Sequence, residues 1–242
     1  RHKIPPGWWD KHNGSSFTLP YTKKARLQRV MVRSDVDAIK EGHVHNYAAT
    51  RGECSIPDKF PLDKEFGTFI GLYLAEGCCH VKSGKVSIAN IDGKVLQFLR
   101  SWFDKYEITH KEYSRNMELK NKEGEVVSKG FTCSIQGSTT MLAKFLDKFV
   151  GHGAANKHVP VEAYAAPEEF IIGLINGYFA GDGTVDKKCN YISANSVSKD
   201  LIEGVSMLCS RLGAFGRIKK YQIQKSGMVN LKHFSYISYI FI

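Results

Sequence analysis

Several features that would assign this chain to other structural classes are missing from its 242 residues. Proline is scarce, with 7 residues, and the 22 glycines follow no collagen-like period. The longest apolar runs, around residues 66–75 and 170–181, fall short of the roughly 20 residues that a membrane helix needs. The N-terminus has no apolar segment of the kind found in signal peptides. We therefore expect an ordered globular protein without a membrane span.

The six cysteines follow no pattern of metal binding or disulfide pairing. They stand at positions 54, 78, 79, 133, 189 and 209, without a Cys-x-x-Cys pair or a Cys/His cluster at zinc spacing. We interpret all six as free thiols, which is typical of an intracellular, reducing compartment.

Acidic residues are outnumbered, so the chain is basic. Its 34 Lys and Arg residues face 24 Asp and Glu residues, which gives a formal net charge of +10. The excess is spread along the chain, with +5 in residues 1–60, +2 in 61–165 and +3 in 166–242.

A tandem duplication is the main feature that is present. The segment FGTFIGLYLAEG at residues 66–77 recurs 106 residues later as IGLINGYFAGDG at residues 172–183. Small residues stand four apart in both copies, which on a helix forms one smooth stripe. They are Gly67, Gly71 and Ala75 in the first copy and Gly173, Gly177 and Gly181 in the second. Downstream similarity is weaker, and Ser87 aligns with Ile192 at an offset of 105.

After each copy, the pattern predicts strands, a helix and further strands. In the first repeat we expect a strand over 85–90, a helix over 94–106, a strand whose buried face is Phe131, Cys133 and Ile135, and a helix over about 138–150. In the second we expect a helix over 200–212 and strands over 217–224 and 231–242. The predicted domains are a basic N-terminal extension (1–60), a first repeat (61–165) and a second repeat (166–242) that lacks its last helix.

An acidic residue ends each stripe at the same position. Glycine costs about 1 kcal/mol against alanine inside a helix, so a glycine stripe requires a compensating close contact. If the two helices pack along their stripes, Glu76 and Asp182 meet beside a pseudo-twofold axis. Gly77 and Gly183, which come next, predict left-handed helix C-caps. Two carboxylates at negative helix ends favour a cation, and Mg²⁺ with its water and phosphate ligands suits such a pair.

These motifs resemble the LAGLIDADG homing endonucleases, particularly the double-motif kind found inside inteins. The likeness is carried by FIGLYLAEG at residues 69–77 and INGYFAGDG at residues 175–183, with supporting flanks at 56–63 and 198–213. It covers roughly residues 56–215. The first copy departs from the usual motif, because Glu76 stands where aspartate is usual.

The resemblance implies an α/β chain of the α+β type, with two pseudo-symmetric αββαββ repeats. Their antiparallel strands would form a saddle in the major groove of DNA, and both DNA strands would be cut across the minor groove. Glu76 and Asp182 match the metal-binding acids of the family, and the backbone carbonyls of Ala75 and Gly181 are further possible ligands. The expected cofactor is Mg²⁺, and Mn²⁺ or Ca²⁺ could occupy the same site.

A lysine and a set of strand residues complete the predicted site. The stretch at residues 157–160, which starts with Lys157, is similar to the one that supplies a catalytic lysine in intein-type relatives. There an ammonium could activate the attacking water; the alternative is a solvated linker lysine. The residues expected to contact DNA lie on or beside predicted strands. They are Lys82, Lys85, Lys111, Tyr113, Arg115, Lys187, Lys188, Arg217, Lys219, Lys220 and Lys225.

The predicted function is Mg²⁺-dependent hydrolysis of a long, specific double-stranded DNA target. The expected enzyme is a monomer with DNA as its partner, no membrane contact and, if intein-encoded, a flanking splicing domain. The alternative is a non-catalytic DNA- or RNA-binding relative, such as a decayed endonuclease, a splicing cofactor or a regulator. Both carboxylates together with Lys157 favour the enzyme.

Overall fold

The structure, a computed structural model, describes the backbone of residues 16–18, 30–32, 38–40, 42–48, 52–120, 126–188, 191–223 and 233–241. These residues form helices and antiparallel sheets in an α+β arrangement. Within those ranges, no helix has both the length and the apolarity that crossing a membrane requires.

Short strands precede the duplicated part of the chain. They are β1 (Ser16–Thr18), β2 (Val30–Val32), β3 (Ala38–Lys40), β4 (His43–Ala48) and β5 (Gly52–Pro57). β1 pairs with β2, and β3, β4 and β5 form a second antiparallel sheet. Val44 and Ile56 are fully buried, and Phe60 stacks on Phe66 with ring centroids 4.8 Å apart. Residues just before position 61 therefore pack against the first repeat, and the domain boundaries drawn from the sequence stay a prediction.

The first repeat begins at a capped helix, α1 (Lys64–Glu76). The Asp63 carboxylate accepts a hydrogen bond from the Phe66 N–H at 2.8 Å, which satisfies an otherwise free donor of the first turn. Then follow β6 (Gly77–His80), β7 (Lys85–Ala89), α2 (Gly93–Lys105), β8 (His110–Lys120), β9 (Val126–Ser138) and α3 (Thr140–Phe149).

The second repeat has the same order of elements as α1 to β9 of the first, without a counterpart of α3 among the described residues. It consists of α4 (Glu168–Asp182), β10 (Gly183–Asp186), β11 (Tyr191–Ser196), α5 (Lys199–Arg211), β12 (Phe215–Ile223) and β13 (His233–Phe241). The sheet orders are equivalent, β6-β7-β9-β8 and β10-β11-β13-β12. The αββαββ arrangement predicted for each repeat is therefore confirmed.

The offset between the repeats is constant, which corrects the sequence alignment downstream of the helices. β6 and β10 begin at residues 77 and 183, and α2 and α5 begin at residues 93 and 199, so the offset is 106 in both cases. Ile88 is then equivalent to Ala194, and both are buried. The alignment at an offset of 105 is wrong, because a slip of one residue moves every strand side chain to the other face.

The glycine stripes bring the backbones of α1 and α4 into direct contact, as predicted. A methyl group on Gly67 would lie 2.2 Å from the carbonyl oxygen of Phe170, and one on Gly173 would lie 2.1 Å from that of Lys64. These two contacts are equivalent under the 106-residue offset. The helices are therefore related by a pseudo-twofold axis, and the absence of side chains along the stripe is what allows their contact.

Gly77 and Gly183 do not adopt the predicted left-handed conformation. Their φ angles are −81° and −78°, because each chain passes directly from helix to extended strand. Glycine is required here for space. A Cβ on Gly77 would lie 2.4 Å from the Tyr73 ring, and one on Gly183 would lie 2.2 Å from the carbonyl oxygen of Phe179.

The strand predicted around residues 131–136 is part of β9, but one expected core residue is exposed. Cys133 and Ile135 are buried, whereas 53% of the Phe131 surface is accessible. β9 starts at Val126, so Phe131 lies on the part of the long β8–β9 hairpin that precedes this buried pair.

Candidate functional site

Glu76 and Asp182 lie at the ends of the two helices that are in contact. Glu76 is the last residue of α1, and Asp182 is the last residue of α4. A methyl group on Gly181 would lie 3.1 Å from Glu76 Cγ and 2.5 Å from Ala75 Cβ. The structure thus brings together both predicted carboxylates and the backbone of Ala75 and Gly181. Neither helix has a basic residue in its last turn, so the negative ends of both helix dipoles add to the negative potential around the two carboxylates.

The Asp182 carboxylate lies in an environment that disfavours its negative charge. Burial and then the nearby Glu76 carboxylate raise the pKa of Asp182 to about 6, while Lys157 acts in the opposite direction. The lysine therefore compensates only part of the unfavourable effect. A cation would relieve the repulsion between the carboxylates.

Lys157 lies in the loop between α3 and α4 and is buried, with only 5% of its surface exposed. Its Nζ donates to the carbonyl oxygens of Tyr73 at 2.9 Å, Leu74 at 3.0 Å and Ala75 at 3.4 Å. Burial lowers the pKa of Lys157, against the opposing effect of Asp182. The alternative of a solvated linker lysine is therefore wrong.

A cavity of about 250 Å³ lies beside Asp182. It is lined by residues of both repeats, which include Ala75 and Lys157 of the first and Asn195 and Ser196 of β11 in the second. The carboxylate therefore borders a space that can admit water and phosphate oxygens.

The oxygen atoms around the two carboxylates fit a hard divalent cation that retains some of its water ligands. Among the described residues, no group of three or more His, Cys, Asp or Glu side chains could hold a metal ion. Mg²⁺ is commonly bound through one or two carboxylates and completes its octahedron with water and phosphate oxygens. The residues that could hold it are Glu76 and Asp182, with the carbonyls of Ala75 and Gly181.

Four predicted DNA-contacting residues share one face of the first sheet. Strand register places Lys85 of β7 with Lys111, Tyr113 and Arg115 of β8. The buried strand residues that face α2, including Ile135, lie on the opposite side. Lys82 is exposed in the short turn between β6 and β7.

Charge is segregated between the two faces of this sheet. Glu112 and Glu118 of β8 lie on the face opposite Lys111, where Glu112 pairs with Arg100 at 2.9 Å and Glu118 pairs with Lys129 at 3.7 Å. The face that carries Lys111 contains no aspartate or glutamate among the residues of this sheet that the structure describes. We refer to it as the basic face.

The second sheet separates the three predicted residues of β12. Arg217 and Lys219 lie on the same side as Ser193, whereas Lys220 lies on the side of the buried Ala194. Lys219 and Lys220 therefore lie on opposite sides of the sheet, because adjacent strand residues point in opposite directions. Their contacts with DNA stay a prediction.

The remaining predicted DNA contacts lie in or beyond turns. Lys187 and Lys188 are exposed in the turn after β10, and Lys188 is equivalent to Lys82 under the 106-residue offset. Lys225 lies outside the described residues.

Sequence reasoning missed several residues of the basic face. His80, Met117, Thr132 and Gln136 lie on it through the pairing of β6, β7, β9 and β8. The period of two in the sequence places Thr132 and Gln136 on the face opposite Cys133 and Ile135, but it does not mark them as DNA contacts. Which strands pair cannot be read from a single sequence, so the residues that share the basic face could not be identified from it.

The fold and the site define a class of protein: a single chain with two αββαββ repeats, a carboxylate pair at their helical interface and a basic sheet face. A family model described as the LAGLIDADG-like domain matches residues 63–134 and 169–238, more than half of the chain. The chain belongs to the LAGLIDADG-like domain family.

Two proteins whose names describe different activities are similar to part of this chain. The DNA-directed RNA polymerase subunit Rpo1C of Methanocaldococcus jannaschii is 38% identical over 163 residues, which are 66% of this chain and 17% of that protein. The ATP-dependent DNA helicase Hel308 of Thermococcus kodakarensis is 29% identical over 168 residues, 65% of this chain and 14% of that protein. The chain thus spans less than a fifth of the length of these relatives.

Among solved structures, I-DmoI in complex with DNA and Mn is similar to this chain. The TM-score is 0.46 and the identity 14%, and the similarity covers 74% of this chain and 90% of that chain.

Proposed function

We propose that this chain is a site-specific homing endonuclease that cleaves double-stranded DNA by metal-dependent phosphodiester hydrolysis. The observation that carries the proposal is the meeting of Glu76 and Asp182 at equivalent ends of α1 and α4. Membership of the LAGLIDADG-like domain family supports it. So does the basic face, which offers positive charge to a polyanion.

In this proposal the two acids hold a divalent cation, with Mg²⁺ as the expected ion and Mn²⁺ or Ca²⁺ as alternatives. A bound divalent cation neutralises phosphate charge and makes coordinated water a better nucleophile. The chain's own part is to keep Glu76 and Asp182 together and to keep the cavity beside Asp182 open to DNA. The ammonium of Lys157 already makes three hydrogen bonds, as many as it has N–H groups, so we assign it no proton transfer.

The sheet residues orient the target in this proposal. Lys111, Arg115, Arg217 and Lys219 lie on sheet faces suited to phosphate and base-edge contacts. Because they belong to two separate repeats on one chain, a monomer could contact both halves of a long target.

The relatives support an insertion of the intein type. The matched segment is 17% of an RNA polymerase subunit and 14% of a helicase, two proteins whose names describe different activities. Because the matched segment is a small part of two proteins with different named activities, we take it to be separate from those activities. We propose that this chain is a similar insert, with a splicing domain in the flanking sequence.

The test is cleavage of genomic DNA from an allele that lacks the insertion, followed by sequencing of the ends. Wild-type protein with Mg²⁺ should produce one recurrent break near the insertion point, and chelator should abolish it. Asp182→Asn and Glu76→Gln should each lower cleavage at least about 100-fold, as expected for loss of a metal-holding acid. Glu169→Gln is the matched control, since Glu169 lies in the first turn of the same helix as Asp182.

Three outcomes separate the candidate functions. Metal-dependent breaks that Asp182→Asn abolishes support the endonuclease. If Asp182→Asn cuts as fast as wild type, the assignment of the site is wrong. Salt-sensitive binding of DNA or RNA without cleavage supports the non-catalytic alternative.

A further inference from the structure

We infer that Lys157 is a positioning residue that joins the end of α1 in the first repeat to the start of α5 in the second, and thereby fixes the oxygen atoms of the carboxylate site. The inference rests on the proposed function for the presence of a metal at that site. It extends that function by giving Lys157 the role of holding the metal-ligand oxygen atoms in position.

The end of α1 creates the need for such a residue. The last carbonyls of a helix have no partner within the helix, and α1 has no basic residue in its last turn. The Gly77 N–H donates to the carbonyl oxygen of Tyr73. The Lys157 ammonium donates to this oxygen and to those of Leu74 and Ala75. It therefore holds the backbone that leads directly into Glu76.

The backbone of Lys157 makes the connection to the second repeat. The Ser198 hydroxyl donates to the carbonyl oxygen of Lys157 at 2.6 Å and accepts from the N–H of Leu201 at 3.2 Å. Ser198 is the N-cap of α5 and is 2% exposed. One residue thus binds the C-terminal end of α1 through its side chain and the N-terminal end of α5 through its backbone.

The loop that carries Lys157 is itself held against α1. The Tyr73 hydroxyl donates to the carbonyl oxygen of Gly151 at 3.2 Å, and the N–H of His158 donates to the carbonyl oxygen of Val150 at 3.0 Å. The ammonium lies 5.2 Å from the centre of the Tyr73 ring. The loop is thus fixed on both sides of Lys157, and the lysine itself is buried.

A positioning role and a purely electrostatic or proton-transfer role predict opposite effects on metal binding. A positive charge beside the carboxylates repels a divalent cation, so removing that charge alone should tighten metal binding. If Lys157 instead fixes the ligand oxygens, its loss should weaken metal binding, as loss of a residue that orients metal ligands typically costs about 10- to 100-fold. The bond to Ala75 is the longest of the three, at 3.4 Å, so this carbonyl oxygen is the least tightly held.

The experiment is titration of Mn²⁺ into the full chain without DNA, with free Mn²⁺ measured by electron paramagnetic resonance. Lys157→Met should weaken Mn²⁺ binding about 10-fold. Ser198→Ala, which leaves the ammonium in place, should weaken it in the same direction. Lys94→Met is the matched control, because Lys94 is an exposed lysine of α2 away from the site, and its Mn²⁺ affinity should equal that of wild type. Circular dichroism at the assay temperature selects folded variants.

Unchanged or tighter Mn²⁺ binding in both Lys157→Met and Ser198→Ala would overturn the inference. The pH dependence of cleavage gives a second readout. A positioning residue lowers the rate at every pH and leaves the shape of the profile unchanged, whereas loss of a proton-transfer group removes one limb. Because Mn²⁺ binding needs no cleavage, a wild-type chain that fails to cut DNA contradicts the proposed function and leaves the test of Lys157 intact.

Discussion

The contact between α1 and α4 leads to a quantitative prediction for Gly71→Ala. The added methyl group would lie 2.0 Å from the carbonyl oxygen of Leu174 and 2.7 Å from the backbone nitrogen of Tyr178, distances that real Cβ atoms essentially never show. Both neighbours are backbone atoms of a helix, so no side-chain rotation can make room. The helices would have to separate.

The expected cost is the balance of two opposing effects. Overpacking of a close contact costs about 1–3 kcal/mol, and the rigid backbone on both sides places Gly71→Ala at the upper end. The higher helix propensity of alanine offsets about 1 kcal/mol of this cost. The free energy of unfolding should therefore fall by about 2 kcal/mol, which lowers the melting temperature by about 4–8 °C in a domain of this size.

Gly93→Ala is the matched control for this substitution. Gly93 begins α2, and a methyl group there has no neighbour within 4 Å. The same chemical change should then leave stability unchanged or raise it by up to about 1 kcal/mol. The pseudo-twofold axis adds a second expectation. Gly177→Ala, whose methyl group would lie 2.3 Å from the carbonyl oxygen of Thr68, should cost about as much as Gly71→Ala.

The assay is urea unfolding of the metal-free chain, followed by far-ultraviolet circular dichroism and extrapolated linearly to water. Fluorescence should give the same midpoint, which tests two-state behaviour. A Gly71→Ala variant within about 0.5 kcal/mol of wild type, or one more stable than Gly93→Ala, would refute the claim that backbone contact between the helices sets the glycine spacing.

Three further predictions concern the site and its surroundings. Because burial and Glu76 raise the pKa of Asp182 to about 6, the folded state binds this proton more tightly than the unfolded chain. The free energy of unfolding of the metal-free chain should thus fall as pH rises from about 4 to 6. The same change of pH should alter the free energy of unfolding of Asp182→Asn less. Lys111→Gln should reduce the salt dependence of DNA binding by about one counterion, and Lys129→Gln, on the opposite face, should not. Tyr73→Phe removes the hydrogen bond to Gly151 and should lower stability by about 1 kcal/mol in the same urea assay.

The duplication, the order of elements and the acidic pair can be predicted from the amino-acid sequence alone. A helix stripe of glycines is costly unless another backbone lies against it, so the repeated spacing of Gly67 and Gly71 is enough to imply a helix contact. The acid that ends each stripe then has to lie near the same axis. These inferences depend on local periodicity and on repetition, both of which one sequence contains.

The conformation of Gly77 shows where local rules were insufficient. Glycine after a helix usually indicates a left-handed cap, but here the chain continues directly into β6 and the glycine makes room for Tyr73. The choice between these two uses of glycine depends on the direction that the chain takes after the helix and on the side chains packed there. A sequence pattern alone does not contain that information.

Which charged residues lie on the same surface or at the same site can be read only from the folded chain. Lys219 and Lys220 are neighbours in sequence, yet strand pairing puts them on opposite sides of a sheet. Lys157 is distant from Tyr73 in sequence, yet its ammonium binds the carbonyl of that residue at 2.9 Å. Strand register and the capping of one element by a residue of another are non-local, because they arise when separate segments pack around a common core.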